Sequence, residues 1–307
     1  MPRAELVAVD LPGHGLSSHR PIDGPTTVLS EGAYYIAEII DALGWDAQTN
    51  ADATKTDSSS NDTIFNDDNQ VALIGHSMGG GMAVTYAGIF PEQISRVVSL
   101  DMFGPEPGTS GQTASDIRSH VLQRRSLGPY GRPHALYKSL DRAIERRQKA
   151  ATMAPGGHQY LSKGAATELV TRSMKPLYET SSVDDENKAI IKGYRFTHDP
   201  RLLWPSLQYL TAEQIQSILE GVECPVCILA AQDGYPFAQD RIDRTIEALD
   251  PEIYEILPGS HHLHADPDTA DAVVDRVYDF FCRGGRGGSS HERRKQGHEA
   301  VARYGMQ

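Results

Sequence analysis

Residues 71–81 read Val-Ala-Leu-Ile-Gly-His-Ser-Met-Gly-Gly-Gly. An apolar, β-branched run ends at Gly75; Ser77 follows two residues later, and Gly79 two residues after the serine. This G-x-S-x-G spacing is that of a nucleophile elbow, a sharp strand-to-helix turn that lifts a serine hydroxyl clear of a sheet. Strand and helix approach closely in such a turn. The serine sits in strained backbone, so small residues are expected at 75 and 79. Met82, Ala83, Val84 and Tyr86 continue as a helix that Pro91 ends.

Working outward, strand-type runs occur at about 5–10, 71–75, 96–101, 226–231 and 253–257. Helical periodicity marks Ser30–Leu43, Gly79–Phe90 and Asp268–Phe281. Strands alternating with helices imply an α/β fold: a mostly parallel sheet flanked by helices. Between 103 and 215 strand patterns vanish, and helices are expected at Ala114–Arg125, His134–Ala150, Ala165–Met174 and Ala212–Glu220. An all-helical excursion between two strands reads as a cap over the strand ends, where open α/β sheets bind ligands. The expected division is a core of 1–102 and 221–282, a helical cap of 103–220, and a tail of 283–307. Residues 46–69, with six Asp and one Lys, read as a disordered polar insertion, and the Gly/Arg-rich tail as flexible.

The 307 residues carry a net charge of −12, with +4 in the tail and −16 elsewhere. That balance argues against nucleic-acid binding by the folded part. No apolar run approaches a membrane span. The N-terminus has neither the basic start nor the apolar stretch of a signal peptide. Three cysteines make no disulfide framework, so a reducing, cytoplasmic setting is expected. Cys224-Pro-Val-Cys227 enters a strand rather than a helix, which favours packed thiols over a redox pair. Nothing in the chain settles its oligomeric state.

A serine hydroxyl needs a general base, and the base an orienting carboxylate. Leu257-Pro-Gly-Ser-His-His-Leu-His264 follows the last strand. His261 is the expected base, with His262 and His264 as alternatives. His262-Leu-His264 is also an H-x-H that zinc can use, but no further ligand cluster accompanies it in the sequence, so no metal or other cofactor is expected. Asp233, just past the strand 226–231, is the expected acid, and Asp101, closing the strand 96–101, is the alternative. The backbone N–H of Met78 is the expected oxyanion donor. Trp204 and Tyr194 are candidate substrate-pocket residues in the cap. Arg124, Arg125, Arg142, Arg146 and Arg147 read as a solvated face.

At Asp10-Leu-Pro-Gly-His-Gly-Leu-Ser17 and Gly75-His-Ser-Met-Gly-Gly80 together, the chain resembles α/β-hydrolase fold proteins. Within them it is similar to the serine hydrolase-like proteins, relatives of the mesoderm-specific transcript hydrolases. Arg142-Ala-Ile-Glu145 and Phe196-Thr-His-Asp-Pro-Arg-Leu-Leu-Trp204 carry that narrower likeness. The resemblance covers residues 4–282 without 46–69. It implies a serine hydrolase acting on a small carboxylic ester or thioester through an acyl-enzyme. It also places 10–17 after the fold's fourth strand, so that three earlier strands and a second oxyanion donor are expected to be missing. A truncated or non-catalytic product that binds a ligand or partner is the alternative it raises.

Overall fold

The computed structural model describes residues 5–20, 28–45, 71–153, 159–179 and 190–282. The expected insertion at 46–69 and tail at 283–307 lie outside the described residues. Four strands form the main sheet: β1 (Val71–His76), β2 (Ile94–Leu100), β5 (Val226–Asp233) and β6 (Ile253–Ser260), in the order β1-β2-β5-β6. All three pairings are parallel, with Gly75 opposite Ser99, Leu100 opposite Leu229 and Asp233 opposite Ser260.

Both faces of this sheet are buried, which is why its strands read as continuous apolar runs. Alternation still sorts the side chains. Val97, Val226, Ile228 and Ala230 join one core cluster; Val98, Cys227 and Leu229 join the other. The first cluster is covered by α1 (Val28–Leu43), α2 (Met78–Ile89), α6 (Ala212–Glu220) and α7 (Gln239–Leu249). The second is covered by α8 (Ala270–Cys282) through Val273 and Phe280. Each fully buried Val, Ile or Leu contributes about 1.5–3 kcal/mol. Cys227 is buried and Cys224 partly so, and neither is in a disulfide. α7 was not anticipated, although Ile242, Thr245, Ile246 and Leu249 recur at helical spacing.

Three expectations need correction. Residues 5–10 form no strand: Leu6, Val7 and Val9 are exposed, and their backbone joins no ladder among the described residues. Side-chain pattern alone does not make a strand without a partner edge. The segment 103–220 contains α3 (Thr113–Leu127), α4 (Leu140–Thr152) and α5 (Lys163–Ser173), but also an antiparallel pair, β3 (Met174–Tyr178) and β4 (Ile191–Phe196). Pro176 disguised β3 as a non-strand. The helix expected from His134 starts at Leu140 instead. Ser139 caps it by accepting from Arg142 N–H, and Tyr137 is drawn into a backbone bridge with Tyr194.

This segment has its own apolar cluster, built from Ala143, Ile144, Leu161, Ala165, Val170 and Met174. It is clamped to the loop 10–20. Asp199 N–H donates to the Gly13 carbonyl (2.7 Å), and Arg201 donates to the Arg20 carbonyl. Asp199 and Arg201 are paired through two oxygens while fully and nearly fully buried. Burial pushes the Asp199 carboxyl up, but the hydrogen bonds and charge of Arg201 outweigh it, and the net shift is downward. The Pro12-Gly-His-Gly15 loop thus buttresses the segment 103–220. Gly13 packs on Asp199 and Leu202.

Candidate active site

Ser77 stands between the end of β1 and the start of α2 with φ 53° and ψ −124°, a conformation that side chains disfavour. Two backbone bonds hold it there: Ser77 N–H to the Leu100 carbonyl (3.0 Å), and Gly81 N–H to the Ser77 carbonyl (3.1 Å). The glycine requirement is not quite the one expected. A Cβ at Gly75 would overlap the Gly79 carbonyl, and one at Gly80 would lie 2.7 Å from Ser99 Oγ, whereas Gly79 faces open space. Close approach of helix and strand therefore demands small residues at 75 and 80.

The Ser77 hydroxyl lies 2.9 Å from Nε2 of His261. Nδ1 of the same ring lies 2.5 Å from Oδ2 of Asp101. Since the carboxylate accepts from Nδ1–H, the neutral ring presents a bare Nε2 to the serine, as a general base must. Asp101 is 1% exposed, has φ 46°, and follows β2 directly. Its Oδ1 accepts Ala231 N–H (2.9 Å) and its Oδ2 accepts Tyr235 N–H (3.1 Å). A Cβ at Gly234 would sit inside this carboxylate, so the close passage of 231–235 depends on that glycine.

The expected acid was Asp233, and here the structure differs. Asp233 closes β5 opposite Ser260, while the ring of His261 bonds to Asp101 and Ser77 instead. Asp101, one residue beyond Leu100, lies deeper, where the turn of its backbone aims the carboxylate across β5 at the imidazole. His261 is brought to the serine as expected.

His261 is carried by a tightly built loop. Leu263 is fully buried in the sheet's second apolar cluster, its N–H bonds to the Ser260 carbonyl (2.9 Å), and Thr269 Oγ1 donates to its carbonyl (2.6 Å). With Leu263 anchored inward, His262 and His264 gather around His76, a residue the sequence reading passed over. Ring centroids of His76 lie 4.1 Å from His264, 4.6 Å from His261 and 5.1 Å from His262. Burial, followed by the charge of the neighbouring histidines, pushes His76 down to about 2. Burial, followed by Arg147 and the other histidines, pushes His262 down to about 3. Burial, then His261, lowers His264. Neither His262 nor His264 reaches Ser77. Arg147, expected on a solvated face, instead turns inward and donates to His262 Nε2 (3.2 Å).

Ser77 and His261 open onto a cavity of about 310 Å³ lined by Met102, Pro105, Tyr209, Tyr235 and Phe237, with Glu106, Ser206 and Gln208 as polar points. Met78 also borders it and opens α2, whose first N–H groups have no acceptor inside the helix. Arg241 holds the adjoining wall, donating to the carbonyls of Phe103 and Gly104 (3.2 and 2.8 Å) and lying over the Phe237 ring. Trp204 and Tyr194 do not line the cavity. Trp204 is buried in a T-shaped contact with His120, and Tyr194 packs against the apolar cluster of the segment 103–220. The lining aromatics are Tyr209, Tyr235 and Phe237, which follow strand and helix ends and carry no periodic signal.

Comparison with known proteins gives consistent relatives. A model described as the alpha/beta hydrolase family matches residues 2–276. A serine hydrolase-like protein from Danio rerio is 26% identical over 287 residues, 90% of this chain and 73% of that one. A probable serine hydrolase from Drosophila melanogaster is 24% identical over 284 residues, 90% and 72% of the two chains. Among solved structures, a hypothetical protein from Pseudomonas aeruginosa PAO1 superposes with a TM-score of 0.67 at 27% identity, over 89% of this chain and 80% of that one. A thioesterase domain from the curacin biosynthetic pathway shares the fold at a TM-score of 0.61 and 18% identity, over 87% and 79%.

Proposed function

Because the chain belongs to the alpha/beta hydrolase family, we propose that it is a serine hydrolase that cleaves a small carboxylic ester or thioester. The observation that carries this reading is the unbroken line from Asp101 Oδ2 through His261 to Ser77 Oγ, at 2.5 and 2.9 Å. Ser77 Oγ attacks the acyl carbonyl as its proton passes to His261 Nε2. Asp101 holds the ring and stabilises the imidazolium. The charge on the carbonyl oxygen falls to Met78 N–H at the positive end of α2. His261 returns the proton to the departing alcohol or thiol. Water, activated by the same nitrogen, then releases the acid and restores the serine.

The lining supports an apolar substrate moiety, since aromatic rings and Met102 dominate it, and the cavity of about 310 Å³ suits a modest acyl group. A fluorophosphonate probe tests the proposal. The parent chain is expected to be labelled on Ser77, and Ser77→Ala to be silent. A folded parent that resists labelling sinks the reading. No helix among the described residues is long and apolar enough to cross a membrane.

A further inference from the structure

Three histidines from two distant parts of the chain meet behind the serine. One ring nitrogen each from His76, His262 and His264 falls within 4.8 Å of the others. His76 ends β1, and the other two ride the loop that Leu263 pins to the core. The hydrogen bonding of His76 is that of a ligand. Its Nε2–H donates to the His261 carbonyl (2.6 Å), which fixes the ring and leaves Nδ1 as the bare nitrogen. Metal-binding histidines are oriented this way, by donating the second nitrogen to a carbonyl. Nδ1 of His262 and Nδ1 of His264 are buried without any hydrogen-bond partner, which is an unusual state for buried polar atoms.

We propose that His76, His262 and His264 form a binding site for a borderline divalent transition ion of the zinc class. Imidazole nitrogens select Zn²⁺, Co²⁺, Ni²⁺ or Cu²⁺ over Mg²⁺ or Ca²⁺. Three such ligands leave a fourth position for water. None of the three belongs to the Ser77–His261–Asp101 line, so the site stands apart from the hydrolase reading.

Arg147 of α4 competes with the ion. Its guanidinium only donates, and it donates to His262 Nε2 at 3.2 Å. An ion on Nε2 displaces it directly. An ion on Nδ1 sends the ring proton to Nε2, where it meets another donor. In both cases His262 must release Arg147, so occupancy of the site loosens a contact between the cap segment and the core.

The test uses the full chain, stripped by a chelator and titrated with Co²⁺ while its visible absorption is followed, then with Zn²⁺ in competition. A single ion is expected to bind and be displaced by Zn²⁺. His264→Gln and His76→Asn should each weaken binding by at least about tenfold. Arg147→Met should tighten it severalfold, and this variant answers the case in which a histidine variant fails to fold. Affinity unchanged in a folded His264→Gln places the ion elsewhere and overturns the proposal. So does binding lost in His261→Gln but kept in His264→Gln, or the absence of Co²⁺ binding in the parent and in Arg147→Met alike.

Discussion

Replacing Asp101 by Asn isolates the electrostatic partner of His261 with almost no change in size. In the parent, Oδ1 accepts from Ala231 N–H, and Oδ2 accepts from both Tyr235 N–H and His261 Nδ1. An amide has one acceptor oxygen and one donor nitrogen. If the amide nitrogen takes the Oδ2 position, it opposes Tyr235 N–H and turns His261 to the tautomer that carries its proton on Nε2. That tautomer cannot accept the serine proton. If the nitrogen takes the Oδ1 position, Ala231 N–H loses its acceptor. Either way one N–H loses its acceptor beside a site 1% exposed, at a cost of about 1–3 kcal/mol. The wrong tautomer costs about 10⁴ in rate where such a swap has been made in a serine triad, close to 5.5 kcal/mol of barrier. The measurement is the second-order rate of Ser77 labelling by a fluorophosphonate, with urea unfolding alongside. Asp101→Asn should label at least about a thousandfold more slowly, and Asp233→Asn within a few-fold of the parent. Equal losses in the two variants, or Asp101→Asn labelling at more than a tenth of the parent rate, refutes the reasoning.

Ser77→Gly should abolish labelling yet raise the unfolding free energy by about 1–3 kcal/mol, since φ 53° with ψ −124° is strained for serine alone; a lower midpoint in urea would contradict it. Gly234→Ala should expel the Asp101 carboxylate and slow labelling severely, while Gly79→Ala, with no atom near its Cβ, should leave the fold as stable or gain about 0.5–1 kcal/mol; the labelling rate decides the first and the urea midpoint the second. Arg201→Met strands the fully buried Asp199 and should cost about 3–5 kcal/mol in denaturant unfolding, against little change for the exposed Arg142→Met. His198 is held down to about 4 by burial first and then by His134, His14 and His19, against the opposing pull of Asp199. Its ordinary value is about 6.5, so the unfolded chain binds the proton more readily between those limits, and stability falls as pH drops from 6.5 to 4. Urea midpoints taken across that range should fall less steeply in His198→Asn, and parallel slopes would remove His198 from the account.

The core strands were legible because burial on both faces leaves an unmistakable apolar run, and the elbow because its serine, its glycines and its flanking periodicities coincide. The cap pair β3–β4 was not. Pro176 and Gly193 both argue against strands locally, and only the long-range bridge of Tyr137 to Tyr194 explains them. A Cβ at Gly193 would collide with the Tyr137 carbonyl, so the glycine that weakens the strand locally is what lets the third backbone come close. Residues 5–10 fail in the opposite sense. Their pattern is strand-like, yet a ladder is a property of two segments and a pattern belongs to one.

The acid shows where local reading stops. Asp101 follows β2 directly and Asp233 closes β5, so both stand at strand ends of a parallel sheet. Spacing along the chain does not tell which carboxylate is level with an imidazole from a third strand. Register does: Leu100 pairs with Leu229, so Asp101 is level with Ala230, while Asp233 runs on to Ser260 at the rim. The same logic governs His76. In sequence it is only the residue before the nucleophile, on an apolar strand. Its significance appears when Leu263, by burying itself, turns its neighbours toward β1. One apolar anchor thus sets His261 beside Ser77 and collects His262 and His264 around His76. If that is the design, truncating Leu263 should disturb both at once. Leu263→Ala, at a core cost of about 2–5 kcal/mol, should slow Ser77 labelling and weaken Co²⁺ binding together in protein that is still folded. Loss of one without the other would show that the loop's two faces are positioned independently.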